Sequence, residues 1–379
     1  MPMKYTTAGV DPPEITTRKR HNYKKWIKII VIVLVVIILL SLIILFVGVP
    51  LVFMWSFAVQ EALMFTRFGL PTNPSDFHIN LPGATNFYVT VQDKETNKLL
   101  SLGVWHLLPW SVVNATIEKK DNRTNHLEML ENTIYPIVIH FHGTGETRLD
   151  SWKMGKLLRY FFHVFLFDYR GYGDSTPGIM REEAVVEDCV QFYKWVMTKT
   201  NSKIYIWGHS LGASLALHTA KILGKQGVNI EGIILEAAFT SMFEEIPYHP
   251  YGKIFAWLPY FNATIRKPLL KNGFHFDNVQ YVQEITAPIL QFHAEDDSII
   301  PLALGRKLYD ASVSPNRTVT FVQVPRSYGC DHFFLYIYPD LPIYIQQFLY
   351  GNTKHWVRHF IEAKRQNSRK KIDKKSGTK

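Results

Sequence analysis

Cysteine is almost missing from this chain: Cys189 and Cys330 are the only two in 379 residues. No disulfide framework can staple the fold, and no cysteine-based zinc site can form. The chain must hold itself together by burying a core. A basic body is missing too. Lys and Arg outnumber Asp and Glu by 42 to 32, a formal charge of +10, but the excess sits at the two ends. Residues 1–28 are net +5 and residues 354–379 net +8, while 29–353 hold 25 basic against 28 acidic residues. A nucleic-acid-binding domain would carry its basic stripe on the folded body, with a recognition motif, so no nucleic-acid partner is expected. Low complexity is also lacking. With 47% hydrophobic and 20% charged residues the composition is globular, which excludes a wholly disordered chain. No internal repeat is evident.

What is present begins with Ile29–Val49, an uncharged run of 21 residues in which only Ser41 and Gly48 are not hydrophobic. At 1.5 Å rise per residue it spans roughly 30 Å, the hydrocarbon thickness of a bilayer. A signal-peptide core is shorter and is followed closely by a small-x-small cleavage site, which this run lacks. The run therefore reads as a transmembrane helix, and the bilayer as a partner through residues 29–49. The basic cluster Arg18–Lys28 precedes it, so the positive-inside rule places residues 1–28 as a cytosolic tail and everything beyond about residue 50 in the lumen or outside the cell. Four sequons, at Asn114, Asn122, Asn262 and Asn316, lie on that side and are glycosylation candidates.

Behind the span, short β-rich runs alternate with helical stretches. Phe87–Val91 and Leu99–Leu107 read as a leading antiparallel pair. Ile137–Phe141, Val164–Asp168, Ile204–Gly208, Ile233–Ala237, Ile289–His293 and Val319–Val324 are apolar runs of about five or six residues, separated by helix-length segments such as Arg181–Lys199 and Ser210–Leu223. This is the pattern of strands buried on both faces of a parallel sheet, hence an α/β layered fold.

The run Ile204–Gly208 leads straight into Gly208-His-Ser-Leu-Gly212, a G-x-S-x-G sequence between strand and helix. In that context the serine sits on a strained turn with its hydroxyl projecting, and the following helix aims backbone N–H groups at developing negative charge. A serine hydroxyl needs a positioned base. In this topology the order is Ser, acid, His. Asp296 and Asp297 both follow the strand Ile289–His293, and Asp297 is favoured by its D-x-x-x-P spacing to Pro301; Asp296 would then cap the turn or the next helix. His332 lies past the last strand. The oxyanion hole needs two backbone N–H groups. One is expected from Leu211, the other from the loop His142-Gly143-Thr144-Gly145, with Thr144 the first choice and Gly143 the second. His209 and His142 are expected to shape the site rather than to transfer protons. This acyl-transfer chemistry needs no cofactor and no metal.

With Ser210, Asp297 and His332 in that order, the chain resembles the α/β-hydrolase superfamily. The turn Asp168-Tyr-Arg-Gly-Tyr-Gly-Asp-Ser175 is similar to one in serine hydrolases related to monoacylglycerol lipases. The segments HAEDDSIIPLALGRKLY (293–309) and DHFFLYIYPDLPIYIQQFL (331–349) resemble the membrane-anchored lysophosphatidylserine and monoacylglycerol lipases of the α/β-hydrolase-domain 12 group. One departure stands out: the family's glycine loop usually reads H-G-N-x-G-T-R, and here it is His142-Gly-Thr-Gly-Glu-Thr-Arg148. The resemblance implies an α/β-hydrolase fold, a lumenal catalytic domain, location in the endoplasmic reticulum, and hydrolysis of lysophosphatidylserine or monoacylglycerol esters. Other esters, thioesters or peptides are the alternative substrates on the same machinery. A non-catalytic hydrolase-like binding protein is the other alternative, and it would have lost a triad position. Between two strands, the insertion Thr240–Ile285 is rich in aromatics (Phe243, Tyr248, Tyr251, Phe255, Trp257, Tyr260, Phe261, Phe274 and Phe276), as an acyl-binding cap would be. The expected organisation is therefore a basic tail 1–28, a membrane helix 29–49, a membrane-proximal segment 50–84, a catalytic domain 85–353 with its cap at about 240–285, and a basic tail 354–379.

Overall fold

A computed structural model describes residue 9, residues 15–118 and residues 126–351, with only the backbone of 15–22 and 115–118. Asn122 and the basic tail 354–379 lie outside the described residues. The chain divides into two compact units, one ending at Ser56 and one beginning at Phe57.

The first unit is helical: Ile15–Ile43, a π-turn Ile44–Gly48, then Val49–Trp55. Its β-branched residues are poor helix formers in water, but in lipid only a helix satisfies every backbone group internally. Ser41 settles its hydroxyl on the Ile37 carbonyl at 2.8 Å. Pro50 cannot donate an N–H, and the ladder widens to a π-turn just upstream of it. The stretch Tyr23–Trp55 is long and apolar enough to cross a membrane, and none of its most apolar window is buried. It fits a single-pass anchor that runs six residues past the apolar run.

The second unit is built on one sheet of eight strands: β1 Ala84–Gln92, β2 Leu99–Leu107, β3 Ile137–Phe141, β4 His163–Phe167, β5 Ile204–His209, β6 Gly232–Glu236, β7 Ile289–Ala294 and β8 Val319–Val324. Their order is β1-β2-β4-β3-β5-β6-β7-β8; β1–β2 and β2–β4 pair antiparallel and the rest parallel. Strands β3 to β7 are buried at every residue, which is why they read as unbroken apolar runs. Along β4, Val164 and Leu166 join the core under the helices Trp152–Leu158 and Leu341–Tyr350. Phe165 and Phe167 point the other way, onto Phe192 of the helix Glu182–Met197, at ring separations of 6.2 and 4.6 Å. Each such fully buried ring is worth roughly 1.5–3 kcal/mol of burial.

The turn after β4 is a scaffold. Arg148, fully buried, pairs with Asp168 and with Asp174 at 2.7 Å and lies 4.0 Å over the Phe77 ring. Arg170 grips Asp188 with two bonds of 2.6 Å. Tyr169 donates its hydroxyl to the His142 carbonyl at 2.9 Å. The turn thus fixes the loop that follows β3 from behind.

The insertion between β6 and β7 holds short helices at Met242–Glu245, Pro250–Lys253, Lys267–Lys271 and Asn278–Gln283. Its aromatics divide. Phe261, Phe274 and Phe276 are buried, and Phe274 stacks on Phe57 and tilts against Phe65. Tyr248, Tyr251 and Trp257 are exposed. Part of the aromatic content is therefore structural packing against residues 57–65.

Candidate active site

Strand β5 ends at His209 and the helix Leu211–Lys225 begins one residue after Ser210. Between them Ser210 takes φ 53° and ψ −119°, a conformation L-residues avoid at a cost of about 1–3 kcal/mol. The bond from Ser210 N–H to the Glu236 carbonyl, 2.9 Å, helps to hold it. The flanking glycines are required by space. A Cβ on Gly212 would strike the Phe141 and His142 carbonyl oxygens, and one on Gly208 the backbone at Gly212 and Ala213.

Two further loops close on the serine. The Ser210 hydroxyl lies 3.0 Å from His332 Nε2. His332 Nδ1 lies 2.9 and 3.0 Å from the two Asp297 oxygens. Asp297 Oδ1 also accepts the N–H groups of Ile299 and Ile300 at 2.9 and 2.8 Å. Burial pushes the Asp297 carboxyl up, but the His332 bond and the neighbouring imidazoles of His332 and His293 outweigh it and hold the group below the ordinary range. Asp331, at φ 45°, accepts the Ser298 N–H at 2.8 Å and so ties the His332 loop to the Asp297 loop. Of the two acids left open by the sequence, Asp297 is the one brought to His332. Among the described residues the expected capping role of Asp296 is not found: Asp297 itself caps the turn, Pro301 precedes the next helix without a side-chain cap, and Asp296 Oδ1 is buried with no hydrogen-bond partner. Such an array can relay a proton from a nucleophilic hydroxyl to an imidazole steadied by a carboxylate.

Residues 134–272 match the family model described as serine aminopeptidase, S33. The chain is 31% identical over 321 residues to the lysophosphatidylserine lipase ABHD12 of Rattus norvegicus, covering 80% of this chain and 77% of the relative. For its counterpart in Xenopus tropicalis the identity is 32% over 330 residues, with 82% and 81% covered. The chain belongs to the ABHD12 family. Protein ABHD12B of Homo sapiens is 33% identical over 286 residues, 73% of this chain and 75% of that one. Among solved structures, an α/β hydrolase from Vibrio vulnificus superposes with TM-score 0.52 at 15% identity, covering 77% of this chain and 89% of that chain, a likeness of fold. The chain is thus a serine ester hydrolase with the α/β-hydrolase fold.

In this ABHD12-family chain the loop after β3 is pinned from two sides. The Thr144 hydroxyl donates to the Met64 carbonyl at 3.0 Å and accepts the Thr66 N–H at 3.0 Å, and Gly145 N–H reaches the Thr66 carbonyl at 3.1 Å. Gly143 N–H is taken by Glu146 at 2.8 Å, which removes the second-choice oxyanion donor. The N–H groups of Thr144 and Leu211 have no such acceptor among the described residues. His142, enclosed by Tyr169 and Tyr172 at 4.2 and 4.9 Å, is held below its ordinary pKa chiefly by burial, as a site-shaping residue would be.

Sequence reasoning missed several carboxyls and one imidazole around the triad. Glu146 pairs with His209 at 2.9 Å; its only signal was the departure from the usual glycine loop. Burial pushes Glu236 up to about 7, partly offset by His209 and by the Trp207 N–H it accepts at 3.1 Å. Burial, with the Asp297 charge, raises Glu245 to about 8. One turn on, His249 is lowered by burial and by His332. Both lie in the aromatic-rich insertion, where no local motif marks them.

Proposed function

We propose that this chain is a membrane-anchored lipase that cleaves acyl esters of lysophospholipids, lysophosphatidylserine first and monoacylglycerols second, through an acyl-enzyme. The observation that carries the reading is the unbroken run from Ser210 through His332 to Asp297. Ser210 Oγ attacks the ester carbonyl as His332 Nε2 takes its proton. The oxyanion receives the Leu211 and Thr144 N–H groups; losing one such donor typically costs about 10²–10³ in turnover. His332 then protonates the departing glycerol oxygen, and as base again it activates the water that frees the fatty acid. Asp297 fixes the imidazole tautomer and stabilises its cation. The names of the relatives support the head group. The exposed aromatics Tyr248, Tyr251 and Trp257 support an apolar acyl substrate, each buried methylene of which adds about 0.8 kcal/mol.

The organisation proposed with it is a cytosolic tail 1–28, a span 29–49, a proximal segment 50–84, a catalytic domain 85–353 with a cap at about 240–285, and a tail 354–379, the catalytic domain facing the lumen of the endoplasmic reticulum. The basic cluster before the span supports that orientation. Asn114, Asn262 and Asn316 are exposed, as acceptors must be. A mass shift on glycosidase treatment is the expected result; an unchanged mass, with the domain digested by protease outside sealed vesicles, reverses the orientation.

The name of the matching family model favours a second reading, a peptidase on the same machinery. Fatty acid release from a panel of lysophospholipids and monoacylglycerols, beside dipeptide arylamides and acyl thioesters and with Ser210→Ala as the blank, separates the two. Lipid turnover abolished in the blank is expected. Amide or thioester cleavage without lipid turnover overturns the lipase.

A further inference from the structure

The pair Glu146–His209 has no part in the scheme above, yet it joins three of its loops. His209 fills the x of G-x-S-x-G. Its Nδ1 lies 2.9 Å from Glu146 Oε2 and its Nε2 lies 2.9 Å from the carbonyl oxygen of His332. A carboxylate oxygen and a peptide oxygen both only accept. A neutral imidazole has one donor, so both bonds form only when both ring nitrogens carry protons. The side chains are 6% and 16% exposed, which takes them largely out of water. Burial opposes the imidazolium, but the Glu146 charge outweighs it and lifts the ring to about 10; at Glu146 the same attraction overcomes burial and takes the carboxyl down to about 2. The other titratable groups facing the ring are Glu236 on β6, His140 on β3, and His332, whose ring centroid is 5.0 Å away. Glu146 Oε2 also accepts the Gly143 N–H at 2.8 Å. Glu146 stands where the family's usual loop has glycine, so this link belongs to the departure itself.

We propose that Glu146 and His209 are positioning residues for the hydrolysis: the doubly donating His209 ring, fixed by Glu146, holds the His332 backbone so that its imidazole meets Ser210, while the Gly143 bond turns the loop so that Thr144 presents its N–H. This rests on the triad reading given above. Buried ion pairs add little net stability when compared with apolar packing, so retaining one beside a nucleophile calls for a reason other than stability. Register between three loops supplies it. A misplacement of about 1 Å at a reacting group costs on the order of 10² in rate.

The test uses the full-length protein in detergent micelles or proteoliposomes, with active sites counted by fluorophosphonate labelling so that rates refer to folded enzyme. Glu146→Ala is expected to lower kcat by about 10²-fold with KM within about threefold of wild type. Glu146→Gln, whose amide oxygen in the Oε2 position can still accept from both the Gly143 N–H and the His209 Nδ1–H, is expected to be at least about tenfold faster than the alanine variant. His209→Ala added to Glu146→Ala is expected to cost little more, because the two act as a unit. If Glu146→Ala does not fold, His209→Gln poses the same question and should lose kcat at unchanged KM. Wild-type kcat in Glu146→Ala or His209→Gln, a Glu146→Gln variant as slow as Glu146→Ala, or losses that multiply independently would overturn the proposal. A wild type that takes no label, or labels equally after Ser210→Ala, removes the serine-hydrolase reading and the proposal with it; normal labelling with inert Glu146 and His209 removes the pair alone.

Discussion

At the scale of the residue, the choice between Asp296 and Asp297 shows how a motif can narrow a role without settling it. Two adjacent carboxylates have the same chemistry, and the spacing to Pro301 only tilts the choice. In three dimensions Asp297 is buried against His332 and two backbone N–H groups, while the His332 Nδ1 bonds go to Asp297 and not to Asp296. Asp297→Asn keeps the shape but offers an amide where a carboxylate should hold the Nδ1 proton, and kcat should fall by about 10³–10⁴-fold at pH 7. Asp296→Asn should stay within about threefold. Initial rates on one lysophospholipid compare them, and equal losses would mean that the aspartates share the role. The serine and the histidine were legible because each is fixed by a local pattern, a glycine-bracketed turn and a position after the last strand. Glu146 was not legible because its partner is 63 residues away, and no local pattern announces a long-range ion pair.

At the scale of the element, the strands were legible because burial on both faces leaves no room for polar alternation. Each apolar run became a strand, and β1 extends three residues earlier, to Ala84, where it pairs with Leu107. The cap was only half legible. Aromatic content cannot say which rings turn inward, and Phe274 and Phe276 turned toward the segment 57–65 instead of a ligand. The junction of β5 with its helix is the least forgiving element. Gly212→Ala would force a methyl group against two carbonyl oxygens of the neighbouring strand end. The expected result is loss of fluorophosphonate labelling together with a drop in the thermal midpoint. A variant that labels and melts like wild type would show that the two backbones do not approach so closely.

At the scale of the whole molecule, the buried titratable groups set a pH window. Burial depresses His140 to about 3 and His163 to about 4, below their ordinary value near 6.5. The folded state therefore binds fewer protons than the unfolded chain in that range, and stability is lost as pH falls. Glu236 and Glu245 are raised to about 7 and about 8 by burial, and His209 to about 10 by Glu146 against the opposing effect of burial. These groups stabilise most fully below their unfolded values, and their contribution is lost as pH rises through the folded ones. The thermal midpoint should peak between about pH 5 and 7. Glu245→Gln should flatten the alkaline side, raising the midpoint at pH 9 by about 5 °C or less while leaving pH 5 nearly unchanged. A flat profile from pH 4 to 10 would contradict these burials.

The bonds from Thr144 to Met64 and Thr66 have a practical bearing on any attempt to detach the enzyme from lipid. The stretch that follows the anchor is a brace for the catalytic loop, so shortening the protein is not a neutral act. Cutting before Phe57 should yield a water-soluble hydrolase with intact turnover. Cutting after Thr66 also removes the fully buried Phe65 and the Phe57–Phe274 stack, so it should lower the melting point as well as slow acylation, and stopped-flow labelling of the protein that remains folded would show the second defect.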